Sequence, residues 1–298
     1  MKSGIISIHK PEGISSARVV SRVKKFLGVK KVGHTGTLDP FATGLMLCTI
    51  DKGTRLSRFF LDGHKRYTAK ICFGIETDTY DVTGKTVFEA PSTVMDKLET
   101  VDIKKTVLSF VGAQDQIPPA FSALKHKGQP LYKLARQGKK IQKPARQVEF
   151  FEINIINIDL PYAEIEIFCS AGTYIRSFAF DIGRIIGCGA HLSELCRTQS
   201  SHFKLKDAIE LEALEGLDKE SAEQRIISLS DCIDFMPAIV VDKSIAQKIK
   251  FGQKLVKKEF SGFKTNRSQK SGESIRVIDD ENNLLAIVQL SKNRQEYN

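Results

Sequence analysis

Gly33-His34-Thr35-Gly36-Thr37-Leu38-Asp39-Pro40-Phe41-Ala42-Thr43-Gly44, followed by the apolar run Leu45-Met46-Leu47-Cys48, decides the reading of this chain. A single acid sits in a polar, glycine-rich loop that runs into a buried strand. Gly33, Gly36 and Gly44 permit backbone angles closed to other residues. Pro40 fixes its own φ and pushes Asp39 toward extended conformations. Asp39 is therefore held at a bend with little freedom to relax. Read alone, an Asp-Pro turn is an ordinary loop device. A carboxylate restrained in this way also suits a nucleophile or a base.

Outward from this loop, Ile5 to Ile8 reads as a short strand. Ser15 or Ser16 caps a helix carrying Val19, Val20, Val23, Phe26 and Leu27, and Gly28 ends it. Tyr67, Ala69, Ile71, Phe73 and Ile75 alternate on one face, which is strand periodicity. Residues 77–84 form a polar turn region, and spacing predicts a helix over 92–111. Strands are expected over 147–158 and 163–169. Thr173 then caps a helix presenting Ile175, Phe178, Ala179, Ile182, Ile185 and Ile186. Residues 206–228 read as an acidic helix, and Met236-Pro237 marks a boundary near 230–237. Beyond it come a strand, a short basic helix, a loop-like stretch over 264–272 and a last apolar run from Leu284 to Leu290. The expected fold class is α+β, with a mixed, largely antiparallel sheet in residues 1–232 and a small β-rich domain in 238–298.

The 298 residues are 41% hydrophobic, enough for a packed core, and no run of about 18 apolar residues suggests a membrane span. The N-terminal apolar stretch is too short for a signal peptide. Six cysteines without a Cys-x-x-Cys pair predict reduced thiols, a cytoplasmic protein and no metal site. The net charge of +10 is unevenly placed. Residues 116–148 contain no acid but hold Lys125, Lys127, Lys133, Arg136, Lys139, Lys140, Lys143 and Arg146. Between Asp207 and Asp234 nine acids face Lys219 and Arg225; from Lys243 to Arg276 ten basic residues face two acids. Two basic regions around an acidic one favour a polyanion partner bound in a salt-dependent way.

Further motifs join the loop. Tyr67 lies in Lys65-Arg66-Tyr67-Thr68-Ala69 and by itself reads as a core or edge residue. Gly172-Thr173-Tyr174-Ile175-Arg176-Ser177 stands at a strand-to-helix junction. Pro118-Pro119-Ala120-Phe121-Ser122-Ala123-Leu124-Lys125 opens the acid-free segment, which continues through Tyr132 to Leu134-Ala135-Arg136-Gln137-Gly138.

These blocks resemble the TruB family of tRNA pseudouridine synthases, whose motif Gly-His-x-Gly-x-Leu-Asp-Pro carries the family's catalytic aspartate. The resemblance covers essentially the whole chain and makes Asp39, Tyr67 and Arg176 the expected catalytic residues. It implies that Tyr67 packs against the target base and that Arg176 pairs with Asp39. A nearby cation favours the charged form of a carboxylate. His34 is expected to stack on the RNA, and Tyr174, Lys125, Tyr132 and Arg136 to contact it. The acid-free segment is expected to be mobile until it closes on a tRNA arm. Asp181, five residues after Arg176, is left structural. The patch Leu195 to Phe203 departs from the family, with Cys196 where a second arginine is usual, and this weakens any role for it. The tail resembles a PUA-like RNA-binding domain.

The implied activity is conversion of uridine 55 in the T-loop of tRNA to pseudouridine by a monomer, with no cofactor or metal. A non-catalytic RNA-binding or tRNA-folding protein with the same fold is the alternative. A phosphate-binding hydrolase is disfavoured, because the loop lacks the Gly-Lys-Ser/Thr ending of a P-loop.

Overall fold

The computed structural model describes residues 1–139, 141–253 and 273–289. Lys140, the basic loop over 264–272 and Leu290 lie outside the described residues. The backbone is organised around one mixed sheet. Its principal strands are β1 (Gly4–Lys10), β2 (Val32–His34), β3 (Thr43–Ile50), β4 (Lys65–Phe73), β5 (Gly112–Gln116), β6 (Arg146–Asp159), β7 (Tyr162–Cys169) and β8 (Ala190–Ser200). The order across the sheet is β1-β3-β8-β4-β7-β6-β5, with β2 paired to β3 and Ile209–Glu210 on the far side of β1. Neighbours are antiparallel except β3 with β8 and β1 with Ile209–Glu210.

Helix α1 (Ser16–Leu27) starts where the Ser15 side chain accepts from the Arg18 backbone N–H, and ends at Gly28 with φ +65°. Val19, Val23 and Leu27 recur every four residues and are buried against Ile6, Ile8, Met46 and Cys48. On the other part of the sheet, α2 (Thr100–Leu108) and, later in the chain, the helix Ile175–Ile186 cover Ala69, Ile71, Phe73, Ile165 and Ile167. The intervening Leu131–Arg136 is α3, and Ile175–Ile186 is α4.

Several local expectations are corrected. The alternating strand stops at Phe73, because Gly74 turns the chain with φ +91°; Ile75 opens a separate strand, Ile75–Thr77. The span 92–111 is two helices, Ser92–Met95 and α2. The bend between them lets Met95 and Leu98 reach the same core as Ile103 and Val107. Tyr174, not Thr173, caps α4, and its backbone is held by Gln116, whose amide bonds both Tyr174 N–H (2.7 Å) and Tyr174 C=O (2.9 Å). Thr173 Oγ1 instead donates to Ser170 O at 3.0 Å, and Ile185 is exposed. Residues 206–228 break into Leu211–Glu215 and Lys219–Gln224, with Ile209–Glu210 and Ile227–Ser228 both pairing with β1. Pairing at a sheet edge outweighs helix propensity there.

The tail forms a small β domain. Strands β9 (Ala238–Val240), β10 (Ser274–Ile278) and β11 (Leu284–Gln289) make a three-stranded sheet, with α5 (Lys243–Lys250) against it. Ile239, Val241, Ile245, Ile275 and Val277 form its own core. Arg276 clasps the preceding segment, donating to Met236 O, Ser230 O and Ser230 Oγ at 3.0–3.2 Å.

Candidate active site

The loop carrying Asp39 is fixed from three directions. Ser16 Oγ donates to Leu38 O and accepts from Leu38 N, both at 2.8 Å. Lys10, wholly buried, sends Nζ to Ala42 O (2.6 Å), Pro11 O (2.8 Å) and Pro40 O (3.2 Å). From β8, the buried Arg197 donates through Nε to Leu45 O at 2.7 Å and through Nη2 to Gly36 O at 3.1 Å. Buried cations at this density are tolerable because backbone carbonyls satisfy their donors. The glycines matter for different reasons. Gly44 holds φ +105°, and a Cβ there would lie 2.4 Å from Arg197 O. Gly36 needs no special angle; a Cβ on it would press on Arg197 Nη1 at 3.3 Å.

This bracing leaves the Asp39 side chain 34% exposed, whereas the Arg176 side chain is 3% exposed. Arg176 is the second residue of α4. Its Nε donates to Asp39 Oδ2 at 2.8 Å. Its Nη1 donates to Thr79 O and its Nη2 to Phe121 O, both at 2.8 Å. Nη1 also lies 3.5 Å from Asp81 Oδ2. Asp81 is buried and accepts from Thr79 Oγ1 (2.9 Å), Thr83 N (3.0 Å) and Thr83 Oγ1 (2.5 Å). A guanidinium bound on three edges cannot swing, so it presents Asp39 in one orientation.

Asp39 and Arg176 line a cleft of about 310 Å³ with Tyr67, Tyr174, Leu195, Arg197, Lys65, Arg146, Ser122 and residues 35–38 and 172–173. Tyr67 stands opposite Arg197 across β4 and β8. Burial raises its phenol pKa, with Arg197 opposing, so the O–H is kept. Arg146 lies over the Tyr174 ring with Cζ 4.7 Å from the centroid.

The other expected contacts lie outside the cleft wall. His34 accepts from Gly36 N at Nδ1 (3.3 Å), and burial, then Arg197, lowers its pKa, favouring a neutral ring. Lys125, Tyr132 and Arg136 sit on the neighbouring segment, where Arg136 Cζ is 5.8 Å from the Tyr132 ring centroid. Part of that segment packs against its surroundings. Leu131, Leu134 and Ala135 are buried, Leu131 N donates to Leu124 O (2.7 Å), and Tyr132 N donates to Ser122 O (3.0 Å).

Sequence reasoning missed Lys10, Lys65, Asp81 and Arg197. Asp81 was hidden in a polar turn, and its neighbours Thr79 and Thr83 were the only local signal. Arg197 belonged to the patch set aside because of Cys196, yet it is the residue of that patch that braces the loop.

Burial pushes the ammonium groups of Lys10 and Lys65 from the ordinary 10.5 down to about 8. Between these values the unfolded chain holds protons that the folded chain has released. Both lysines therefore make stability rise with pH from about 8 to 10.5. Lys10→Met is expected to reduce the slope of Tm against pH in this window. An unchanged slope in scanning calorimetry would show that Lys10 does not titrate there.

The sequence matches the family described as TruB family pseudouridylate synthase (N terminal domain) over residues 24–175, and the tRNA pseudouridylate synthase B C-terminal domain over 176–240. The chain belongs to the TruB family. It is accordingly a pseudouridine synthase, an isomerase. Among its TruB relatives, tRNA pseudouridine synthase B of Thermotoga maritima is 40% identical over 296 residues, 98% of this chain and 92% of the relative. That of Alkaliphilus oremlandii is 41% identical over 253 residues, 85% of this chain and 83% of the relative. Among solved structures, a chain of a Cbf5-Nop10-Gar1 complex superposes with a TM-score of 0.72 at 25% identity, covering 98% of this chain and 80% of that one. A chain of an H/ACA ribonucleoprotein bound to a substrate RNA containing 2'-deoxyuridine gives the same TM-score at 23% identity, covering 97% and 79%. No helix among the described residues is long and apolar enough to cross a membrane.

Proposed function

We propose that this TruB protein converts uridine 55 in the T-loop of tRNA to pseudouridine by base flipping, with Asp39 as the catalytic aspartate. The observation that carries the reading is a partly exposed carboxylate in a cleft of about 310 Å³, gripped at 2.8 Å by a buried arginine. The reaction breaks the bond from C1' to N1 and forms one from C1' to C5. The hydrogen on C5 leaves as a proton and N1 gains one, so no redox cofactor is called for.

A uridine in a folded tRNA must leave its stack to reach Asp39, which costs a few kcal/mol. Stacking on an aromatic ring returns on the order of 1–3 kcal/mol per base. Tyr67 lines the cleft and takes this role in our reading, and its retained O–H can pass a proton to the turning base. His34, neutral and outside the cleft wall, suits stacking better than proton transfer. Asp39 acts by attacking the sugar, by adding to the uracil ring or by stabilising a sugar intermediate; all three use its negative charge. Lys125, Tyr132, Arg136 and the basic tail hold the RNA backbone, and Tyr174 completes the wall beside the nucleotide. In this reading residues 1–232 are catalytic, 238–298 form a PUA-like RNA-binding domain, and a monomer acts in the cytoplasm.

The test is to incubate the purified protein with a defined, unmodified tRNA transcript and map every modified uridine. Pseudouridine at position 55 is expected. Modification confined to other uridines would overturn the site assignment, and none at all would favour the RNA-folding alternative.

A further inference from the structure

Four cations line the cleft: Lys65, Arg146, Arg176 and Arg197. Three are already engaged. Arg176 holds Asp39 and two carbonyls, Arg197 holds the loop carbonyls, and Lys65 Nζ donates to Leu61 O and Gly63 O. Arg146 differs. Among the described residues its guanidinium makes neither hydrogen bond nor ion pair, and its Nε is buried without a partner. Among the described residues Asp39 is the sole carboxylate in the cleft wall, and its Oδ2 is held by Arg176. No carboxylate among the described residues pairs with Arg146, so an anionic ligand would find its charge uncompensated.

The side chain is nevertheless held in place. Tyr174 covers it at 4.7 Å. A Cβ on Gly172 would lie 3.3–3.4 Å from Nη2, Cζ and Nη1 alike, so the Gly172 backbone sits over the guanidinium plane rather than at its edge. Arg146 is paired in register with Gln116, the residue that fixes the Tyr174 backbone. Packing against its plane leaves the in-plane N–H fork unclaimed, and that fork matches an oxyanion with two adjacent oxygens. A partly desolvated, uncompensated guanidinium is unfavourable until such an oxyanion binds.

We propose that Arg146 binds the phosphodiester adjoining the extruded uridine and so positions C1' over Asp39. This rests on the functional reading above, since the oxyanion is supplied by RNA. The role differs from general docking on the basic segment: it concerns one linkage, next to the reacting nucleotide.

The test uses a tRNA stem-loop in which each linkage around the target uridine is replaced, one at a time, by a neutral methylphosphonate. Wild type is expected to lose about ten- to a hundredfold in kcat/KM at one linkage next to the target. Arg146→Gln should lose a similar factor on the all-phosphate RNA and nothing further when that linkage is neutral. Arg146→Lys, which keeps the charge, should remain sensitive to it. Loss of one phosphate contact should also reduce the slope of log affinity against log salt by about 0.7 in Arg146→Gln. Losses from variant and neutral linkage that simply multiply, or no sensitive linkage in wild type, would overturn the assignment. If Arg146→Gln melts below the assay temperature, Arg146→Lys carries the comparison, and insensitivity there would overturn it equally. Failure of wild type to convert the all-phosphate stem-loop would instead overturn the functional reading, and with it this one.

Discussion

Asp39→Asn is expected to abolish release of tritium from tRNA labelled at uracil C5, by more than about a thousandfold, while leaving the fold and the affinity for tRNA nearly intact. The substitution is almost isosteric. An amide oxygen can still accept from Arg176 Nε, so the loop keeps its geometry. The loop is braced by Ser16, Lys10 and Arg197 through backbone atoms that the substitution does not touch. Only the negative charge disappears. A variant releasing tritium within tenfold of wild type would remove Asp39 from the chemistry. A variant that also lost tRNA affinity would make it a binding residue.

Arg176→Ala is expected to differ by damaging stability as well as turnover. It strips the partner from Asp39, leaves the carbonyls of Thr79 and Phe121 short of a donor, and leaves Asp81 facing a void. Breaking a buried ionic contact from one side costs about 3–5 kcal/mol, because the remaining charge stays desolvated. Turnover should fall more than about a hundredfold, and affinity for tRNA less than tenfold. The double variant Arg176→Ala/Asp81→Asn separates the two effects: neutralising residue 81 should restore part of the Tm but none of the activity. Denaturant melts with single-turnover tritium release measure both. An affinity loss as large as the activity loss would make Arg176 an RNA anchor instead.

The motif blocks were legible because their chemistry is local. The strand β4 as far as Phe73, a serine cap at 15–16, the stop at Gly28, and the strands β6 and β7 followed from local pattern, though the pairing of the last two did not. The bracing of the loop was not legible. Lys10 and Arg197 look like surface cations in sequence, and each is buried only because carbonyls from distant segments converge on it. The split of the expected helix over 92–111 was hidden for the same reason, since the bend is set by packing of both halves on one core. Arg146 lay in plain view as one basic residue among eight in the acid-free segment. Nothing local distinguished it from Lys143; only the approach of Gly172 and Tyr174 did.

The parallel pairing of Thr43 and Gly44 with Cys196 and Arg197 spans roughly half the polypeptide. β1 and β3 pair across a short span of sequence, but the core beneath α1 also takes Leu211, Leu214 and Ile226 from late in the chain. The corner that holds Asp39 closes late, because Arg176 lies 137 residues downstream of Asp39 and Arg197 lies 152 residues downstream of Leu45. Such distant closures are slow relative to hairpins and helices. The corner around Asp39 is therefore complete only once residues from beyond position 175 have closed onto a loop near the start of the chain.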